Sequence, residues 1–202
     1  MHTKKGFTLL ELLIVIGILA ILSTTIVLVI NPAELLRKAR DAQRISDLNT
    51  MKTAIAYYLV DVSDPGLGDV YNTQTYSDLL GVKCDTNATA AATPTFAVNG
   101  TGWIPIDFTE TTGGSPIGSL PQDPLISALS TDAVYHYTYL VSSSTPFTFK
   151  LTAAMESIYY SNGGPGDVEL TDGGDDPNLY EVGTDMTIPI VRSAACYDGA
   201  AE

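Results

Sequence analysis

Three groups of residues in this chain have types and spacings suited to chemistry. The first is a single carboxylate. Glu11 lies in MHTKKGFTLLELLIVIGILAILSTTIVLVI, preceded by Phe7-Thr8-Leu9-Leu10 and followed by nineteen uncharged residues, Leu12 to Ile30. An ionised carboxylate in a bilayer costs at least a few kcal/mol, so it normally has a cationic partner. The apolar stretch holds no Lys, Arg or His, and Glu11 is expected to be unsatisfied within its own chain. Cutting the Gly6–Phe7 bond would create an α-amino group four residues before Glu11, and a neighbouring subunit's amine would complement the carboxylate.

The second group is the acidic cluster Asp167, Glu169, Asp172, Asp175 and Asp176, with Glu181 and Asp185 nearby. Hard oxygen ligands on a Gly-rich loop suit Ca²⁺, and Asp172, Asp175, Asp176 and Asp185 are the candidate ligands. LTDGGDDPNLYE lacks the D-x-D-x-D-G spacing of an EF-hand, so a solvated acidic loop is the competing reading. The third group is Cys84 and Cys196. In an oxidising compartment they would close a loop of about 110 residues, stabilising by roughly 4–5 kcal/mol in the chain-entropy account; two reduced, buried thiols are the alternative. Of the two histidines, His2 lies in the N-terminal six residues and His136 sits mid-strand among tyrosines. G-x-S-x-G, H-E-x-x-H, C-x-x-C and the Walker loop are absent, which argues against an enzyme and leaves no catalytic residue to name. The tyrosine-rich strand with Trp103 and Tyr159-Tyr160 would suit sugar stacking or, more simply, core packing.

The elements that must position these groups follow from pattern. The run Leu12–Ile30 has the length of a membrane span, with a transmembrane segment expected at about residues 9–30. Lys4 and Lys5 hold the N-terminus in the cytoplasm, so everything after Ile30 is translocated. A secretory signal peptide would have a shorter apolar region and an A-x-A-like site; a plain signal anchor fits the length but leaves Glu11 unexplained. From Glu34 to Val62, Leu35, Ala39, Ala42, Ile45, Leu48, Met51, Ile55, Tyr58 and Val62 recur at steps of three or four, one apolar helical stripe. Glu34–Lys38 and Arg37–Asp41 stand at i,i+4. A helix from Phe7 to Val62 is expected, broken near Val29–Pro32 by the proline, with Gly17 a second soft point. Beyond Asp64-Pro65-Gly66, Val134–Val141 and Phe147–Met155 alternate as strands joined by Ser142–Pro146, an antiparallel hairpin. Weaker strands are expected at Trp103–Phe108 and Met186–Val191, and a brief helix at Tyr76–Leu80.

Charge is divided unevenly. Between Asp61 and Glu202 there are 19 acidic and three basic residues, which repels phosphate backbones and argues against nucleic-acid binding by this region. The segment Glu34–Lys52 has five basic residues against three acidic ones.

Lys5-Gly6-Phe7-Thr8-Leu9-Leu10-Glu11-Leu12-Leu13 resembles the class III signal of type IV pilins and type II secretion pseudopilins: a short basic leader, Gly6 before the cut, Phe7 after it, Glu11 fifth in the mature chain. The resemblance implies removal of residues 1–6 by a prepilin peptidase, N-methylation of Phe7, and pairing of Glu11 with an adjacent subunit's Phe7 amine. Lys38-Ala39-Arg40-Asp41 through Ile45-Ser46-Asp47-Leu48 is similar to the post-membrane helix of pseudopilin G-like proteins, and Leu120-Pro121-Gln122-Asp123-Pro124 to the turn before their last hairpin. Calcium binding in a C-terminal acidic loop of major pseudopilins is a further implication. The implied fold is α+β, a long N-terminal helix (residues 7–62) packed on a small antiparallel sheet in an acidic head (63–202). The implied role is a homo-oligomeric helical filament, assembled from cytoplasmic-membrane lipid by an inner-membrane platform with minor pilins. It would serve as surface pilus, secretion pseudopilus or DNA-uptake pilus. A membrane-tethered calcium- or glycan-binding module that never polymerises is the reading from another class.

Overall fold

A computed structural model describes residues 6–68, 74–76, 95–125, 135–142 and 148–190, without the side chains of 25–30, 74 and 76. The chain divides into two compact units, Met1–Arg37 and Lys38–Glu202. In the first, helix α1 runs Leu9–Ile30 and is followed by the start of α2, Pro32–Asp61. The break falls where the proline requires it. Asn31, whose α geometry the Pro32 ring disfavours, takes left-handed φ 44° and ψ 77°. Its carbonyl accepts from Leu35 N–H at 3.2 Å and its Oδ1 from Glu34 N–H at 3.4 Å, so it opens the second helix as it closes the first. Gly17 is continuous helix. Arg37 contacts Glu34 at 3.9 Å across i,i+3, not Asp41, whose carboxylate is used elsewhere.

In the second unit the architecture is α+β. Strands β1 (Gln74–Tyr76), β2 (Tyr137–Val141), β3 (Phe149–Ala153) and β4 (Tyr180–Gly183) form one antiparallel sheet in the order β1-β2-β3-β4. The expected hairpin is β2–β3, in register Tyr137↔Ala153, Tyr139↔Leu151 and Val141↔Phe149. These six side chains form the inner face and, with Leu48, Met51, Ala54, Ile55 and Tyr58 of α2, Trp103, Ile104, Ile106 and Phe108, make one core. The polar tips of its aromatics are placed: Tyr137 Oη donates to Asp47 at 2.8 Å, Tyr139 Oη to the Leu67 carbonyl at 2.8 Å, and Trp103 Nε1 to the Pro121 carbonyl at 3.1 Å. The tyrosines of β2 therefore pack a core and offer no stacking face.

Several expectations are corrected. The apolar stripe of α2 is buried from Leu48 onward, but Leu35, Ala39 and Ala42 are exposed, and Asp41 and Arg44 are buried in that part of the helix instead. Trp103–Phe108 is no strand: its chain bends, makes an isolated bridge between Asn99 and Asp107, and enters a short 3₁₀ helix, Phe108–Glu110. Met186–Ile190 is turn and irregular chain. Tyr76 belongs to β1, and the remainder of the brief helix expected to Leu80 lies outside the described residues.

Arg44 explains the altered stripe. Its guanidinium, fully buried, donates to both oxygens of Asp123, Nε at 2.6 Å and Nη2 at 2.9 Å, and through Nη1 to Asp41 at 2.7 Å; it also lies 4.9 Å from the Tyr135 ring centre. Asp41 in turn accepts the Glu156 N–H at 2.9 Å and the Ser157 N–H at 2.7 Å. Desolvation is the largest single influence on the guanidinium and lowers its pKa, but the hydrogen bonds and charges of Asp123 and Asp41 together outweigh it and raise the pKa. Removing one side of a buried pair leaves the other uncompensated, which typically costs about 3–5 kcal/mol. Arg44→Met is expected to destabilise the full chain by that order in denaturant unfolding in detergent, whereas Arg37→Met, at an exposed contact, is expected to change it by under about 0.5 kcal/mol.

Candidate functional site

The N-terminal unit places the residues singled out in the sequence along a few ångströms of chain. Gly6, Phe7 and Thr8 precede the first helical turn and are exposed. Thr8 is the N-cap of α1, and with Glu11 it forms a capping box. Glu11 N–H donates to Thr8 Oγ1 at 3.2 Å; in return Glu11 Oε2 accepts the Thr8 N–H at 2.9 Å and the Thr8 hydroxyl at 2.8 Å. Glu11 is thus not wholly unsatisfied in its own chain. One carboxylate oxygen carries two hydrogen bonds, while Oε1 accepts none and no cation pairs with the group among the described residues. The T-x-x-E spacing that signals such a box stands openly in Thr8-Leu9-Leu10-Glu11, and the apolar context drew attention away from it.

Gly6 is not demanded by packing, because a Cβ there would meet nothing within 4 Å. The apolar side chains of α1 are exposed on every side, from Leu10 at 67% to Leu22 at 53%, so the helix has no polar face. Its later hydroxyls bond back into it: Ser23 Oγ donates to the Leu19 carbonyl at 2.7 Å and Thr24 Oγ1 to that of Ala20 at 2.9 Å. That is how polar groups are satisfied where water is absent. Among the described residues, which give the side chains of α1 only to Thr24, no helix is long and apolar enough to cross a membrane.

In the head, each of the four candidate calcium ligands is engaged in a local contact. Asp172 accepts the Gly174 and Glu181 N–H groups at 2.8 and 2.6 Å. Asp176 accepts the Asn178 N–H at 3.0 Å, and Asp185 the Thr187 N–H at 2.9 Å. Asp175 faces a cation already in place, the Lys150 ammonium of β3, at 3.0 Å. That ammonium, fully buried, also meets Glu181 Oε1 at 2.7 Å and donates to the Met186 carbonyl at 2.9 Å. Close backbone approach makes this possible: a Cβ on Gly174 would lie 1.7 Å from Glu181 Oε2, and one on Gly183 would lie 2.1 Å from the Phe149 carbonyl. Among the described residues no group of three or more His, Cys, Asp or Glu side chains is placed to hold a metal ion. Cys84 and Cys196 lie outside the described residues.

Glu169, which the sequence placed in the same acidic cluster, has a different task. Its carboxylate is buried and ties the loop after β3, with Oε1 accepting the Met155 N–H at 2.9 Å and Oε2 the Asn162 N–H at 2.8 Å. Desolvation raises its pKa to about 7, outweighing the two backbone N–H groups that lower it; Asp167 and Asp41 add to the rise.

Residues 1–27 match the family of the prokaryotic N-terminal methylation motif. No curated protein and no solved structure matches the chain. The matched stretch takes in Gly6, Phe7, the capping box and most of α1, and the motif marks pilin-type structural precursors. The match supports a type IV pilin-like precursor.

Two measurements check this geometry. Thr8→Val removes the cap acceptor and is expected to cost the first turn of α1 about 1 kcal/mol, seen as faster amide exchange at Leu10–Leu12, with Thr8→Ser retaining protection. For Glu169, the folded pKa stands above the ordinary 4.5, so its contribution to stability is fully present below 4.5 and is lost as pH rises through about 7. The unfolding temperature of the wild-type chain is expected to fall more steeply between pH 4.5 and 7.5 than that of Glu169→Gln.

Proposed function

We propose that this chain is the precursor of a structural subunit of a type IV pilus-like filament. It would be cut between Gly6 and Phe7 by a prepilin peptidase, N-methylated on Phe7, and assembled through α1 by an inner-membrane platform. The observation that carries the reading is the Glu11 carboxylate, with Oε2 held by Thr8 and Oε1 accepting nothing among the described residues, four residues beyond that bond in an otherwise apolar helix. An α-amino group arriving from a neighbouring subunit supplies the missing charge at Oε1 without dismantling the cap. The open space around Gly6 agrees with a glycine required by an enzyme that reads the bond, since the fold itself would accept a side chain there.

The helix first holds the monomer in the cytoplasmic membrane, with its N-terminus on the cytoplasmic side. An α-helix hydrophobic all round needs either lipid or other helices about it, so the same surface serves the membrane-held subunit and then the filament core. The head, with 19 acidic and three basic residues from Asp61 onward, lies outside and repels polyanions, which favours a surface pilus or secretion pseudopilus over direct DNA capture by this subunit.

The capping box sharpens the decisive experiment. Glu11→Gln keeps an acceptor for Thr8 and removes the charge; it is expected to insert into membranes as the wild type does and to lower filament yield at least tenfold. Mass spectrometry of the mature wild-type chain is expected to show N-methyl-Phe7 as the first residue. An intact Met1, or normal filaments from Glu11→Gln, would overturn the proposal.

A further inference from the structure

The head presents a tripeptide motif unrelated to the acidic loops. Asn99-Gly100-Thr101 has the N-x-T form accepted by N-glycosylating enzymes, which act on surface turns of translocated chains. The tripeptide sits at the tip of an anchored turn. Phe108 N–H donates to the Val98 carbonyl at 2.8 Å and Trp103 N–H to that of Thr95 at 2.9 Å, and both ring systems are buried in the core. Gly100, at φ +80°, makes the reversal between these anchors, a conformation that glycine adopts without penalty. Asn99 and Thr101 are exposed.

Their side chains are already arranged as a pair. Asn99 Oδ1 accepts the Thr101 hydroxyl at 2.7 Å and the Thr101 N–H at 3.4 Å, so the amide oxygen is tied back toward the turn. Asn99 Nδ2 donates to nothing among the described residues and is left to solvent. An incoming enzyme therefore meets the amide nitrogen and the hydroxyl two residues on, side by side on one rigid turn, without having to unfold the head.

We propose that Asn99 is the acceptor of an N-linked glycan, added outside the cytoplasmic membrane from a polyprenyl-diphosphate-linked oligosaccharide. In the transfer Nδ2 attacks the anomeric carbon of the reducing-end sugar. The new C–N bond replaces the C–O bond to the diphosphate, which leaves with the electron pair on its carrier, and the amide proton passes to a base of the transferring enzyme. The inference rests on the translocated head of the proposed function, and one measurement separates the two.

The test is peptide mass spectrometry on the full chain purified from the cells that make it, reading the N-terminal and Asn99 peptides in the same sample. The expected result is an oligosaccharide mass on the Asn99 peptide, lost in Asn99→Gln and Thr101→Val and retained in Thr101→Ser. Gly100→Ala keeps the N-x-T form but strains the turn, and it is expected to lower occupancy severalfold. Glycan on Asn99 with an unmethylated N-terminus would uphold this inference and overturn the filament reading. A bare Asn99, an Asp or isoaspartate there, or glycan confined to the other N-x-T tripeptide of the sequence, Asn87-Ala88-Thr89, or to hydroxyl side chains, on a chain with methyl-Phe7, would overturn this inference alone. A bare Asn99 on an uncut chain would overturn both.

Discussion

The head depends on one guanidinium. Arg44 is taken wholly out of water, and three hydrogen bonds to Asp123 and Asp41 compensate for a desolvation that would otherwise exclude it from the interior. Those bonds join parts of the chain that lie far apart in sequence. Asp123 belongs to the Leu-Pro-Gln-Asp-Pro turn, whose Pro121 carbonyl receives the indole of Trp103. Asp41 receives the two N–H groups at Glu156 and Ser157, where the chain leaves β3. Arg40, one turn earlier on α2, forks onto Glu156. A planar fork with fixed directions sets angles as well as distances, so the network aligns α2 with the turn and the loop in a way that apolar contacts, which lack direction, do not.

The N-terminal unit obeys a different constraint, the scarcity of partners for polar groups along an apolar helix. Each described polar side chain of α1 bonds within one turn of itself: Glu11 to Thr8 through one oxygen, Ser23 and Thr24 to the carbonyls four residues back. What local bonding cannot supply is charge. Hydrogen bonds from a neutral amide and a hydroxyl stabilise a carboxylate without neutralising it, and under the proposed function that remainder is what a neighbouring subunit's amine would supply.

How far the fold was legible depended on whether burial followed the apolar pattern. The stripe from Leu48 to Tyr58 and the alternation in Tyr137–Val141 and Phe149–Ala153 were readable because those side chains enter the core at their element's own period. The N-terminal half of the α2 stripe misled, since Asp41 and Arg44 are buried through each other, and a pairwise compensation leaves no mark in single-residue hydropathy. Strand β4 was hidden for the same reason: Glu181, mid-strand in an acidic run, is buried against Lys150 and the N–H groups of Asp175 and Asp176. Trp103–Phe108 read as a strand because its residues are apolar and buried, yet its backbone is bonded to neighbouring loops and not to a ladder. At the N-terminus the capping box was legible too, since the T-x-x-E spacing of Thr8 and Glu11 is a sequence signal, but the apolar run around it pointed to a carboxylate without any local partner.

Lys150 has a consequence for the medium the head must face. A dissolved ion occupies a site according to its concentration, and a chelator or a dilute surrounding empties it. An ammonium carried on the chain itself is present at a fixed, high effective concentration wherever the protein goes. The oxygens of Asp175, Glu181 and Met186 that enclose it therefore receive their positive charge during folding rather than from the surroundings.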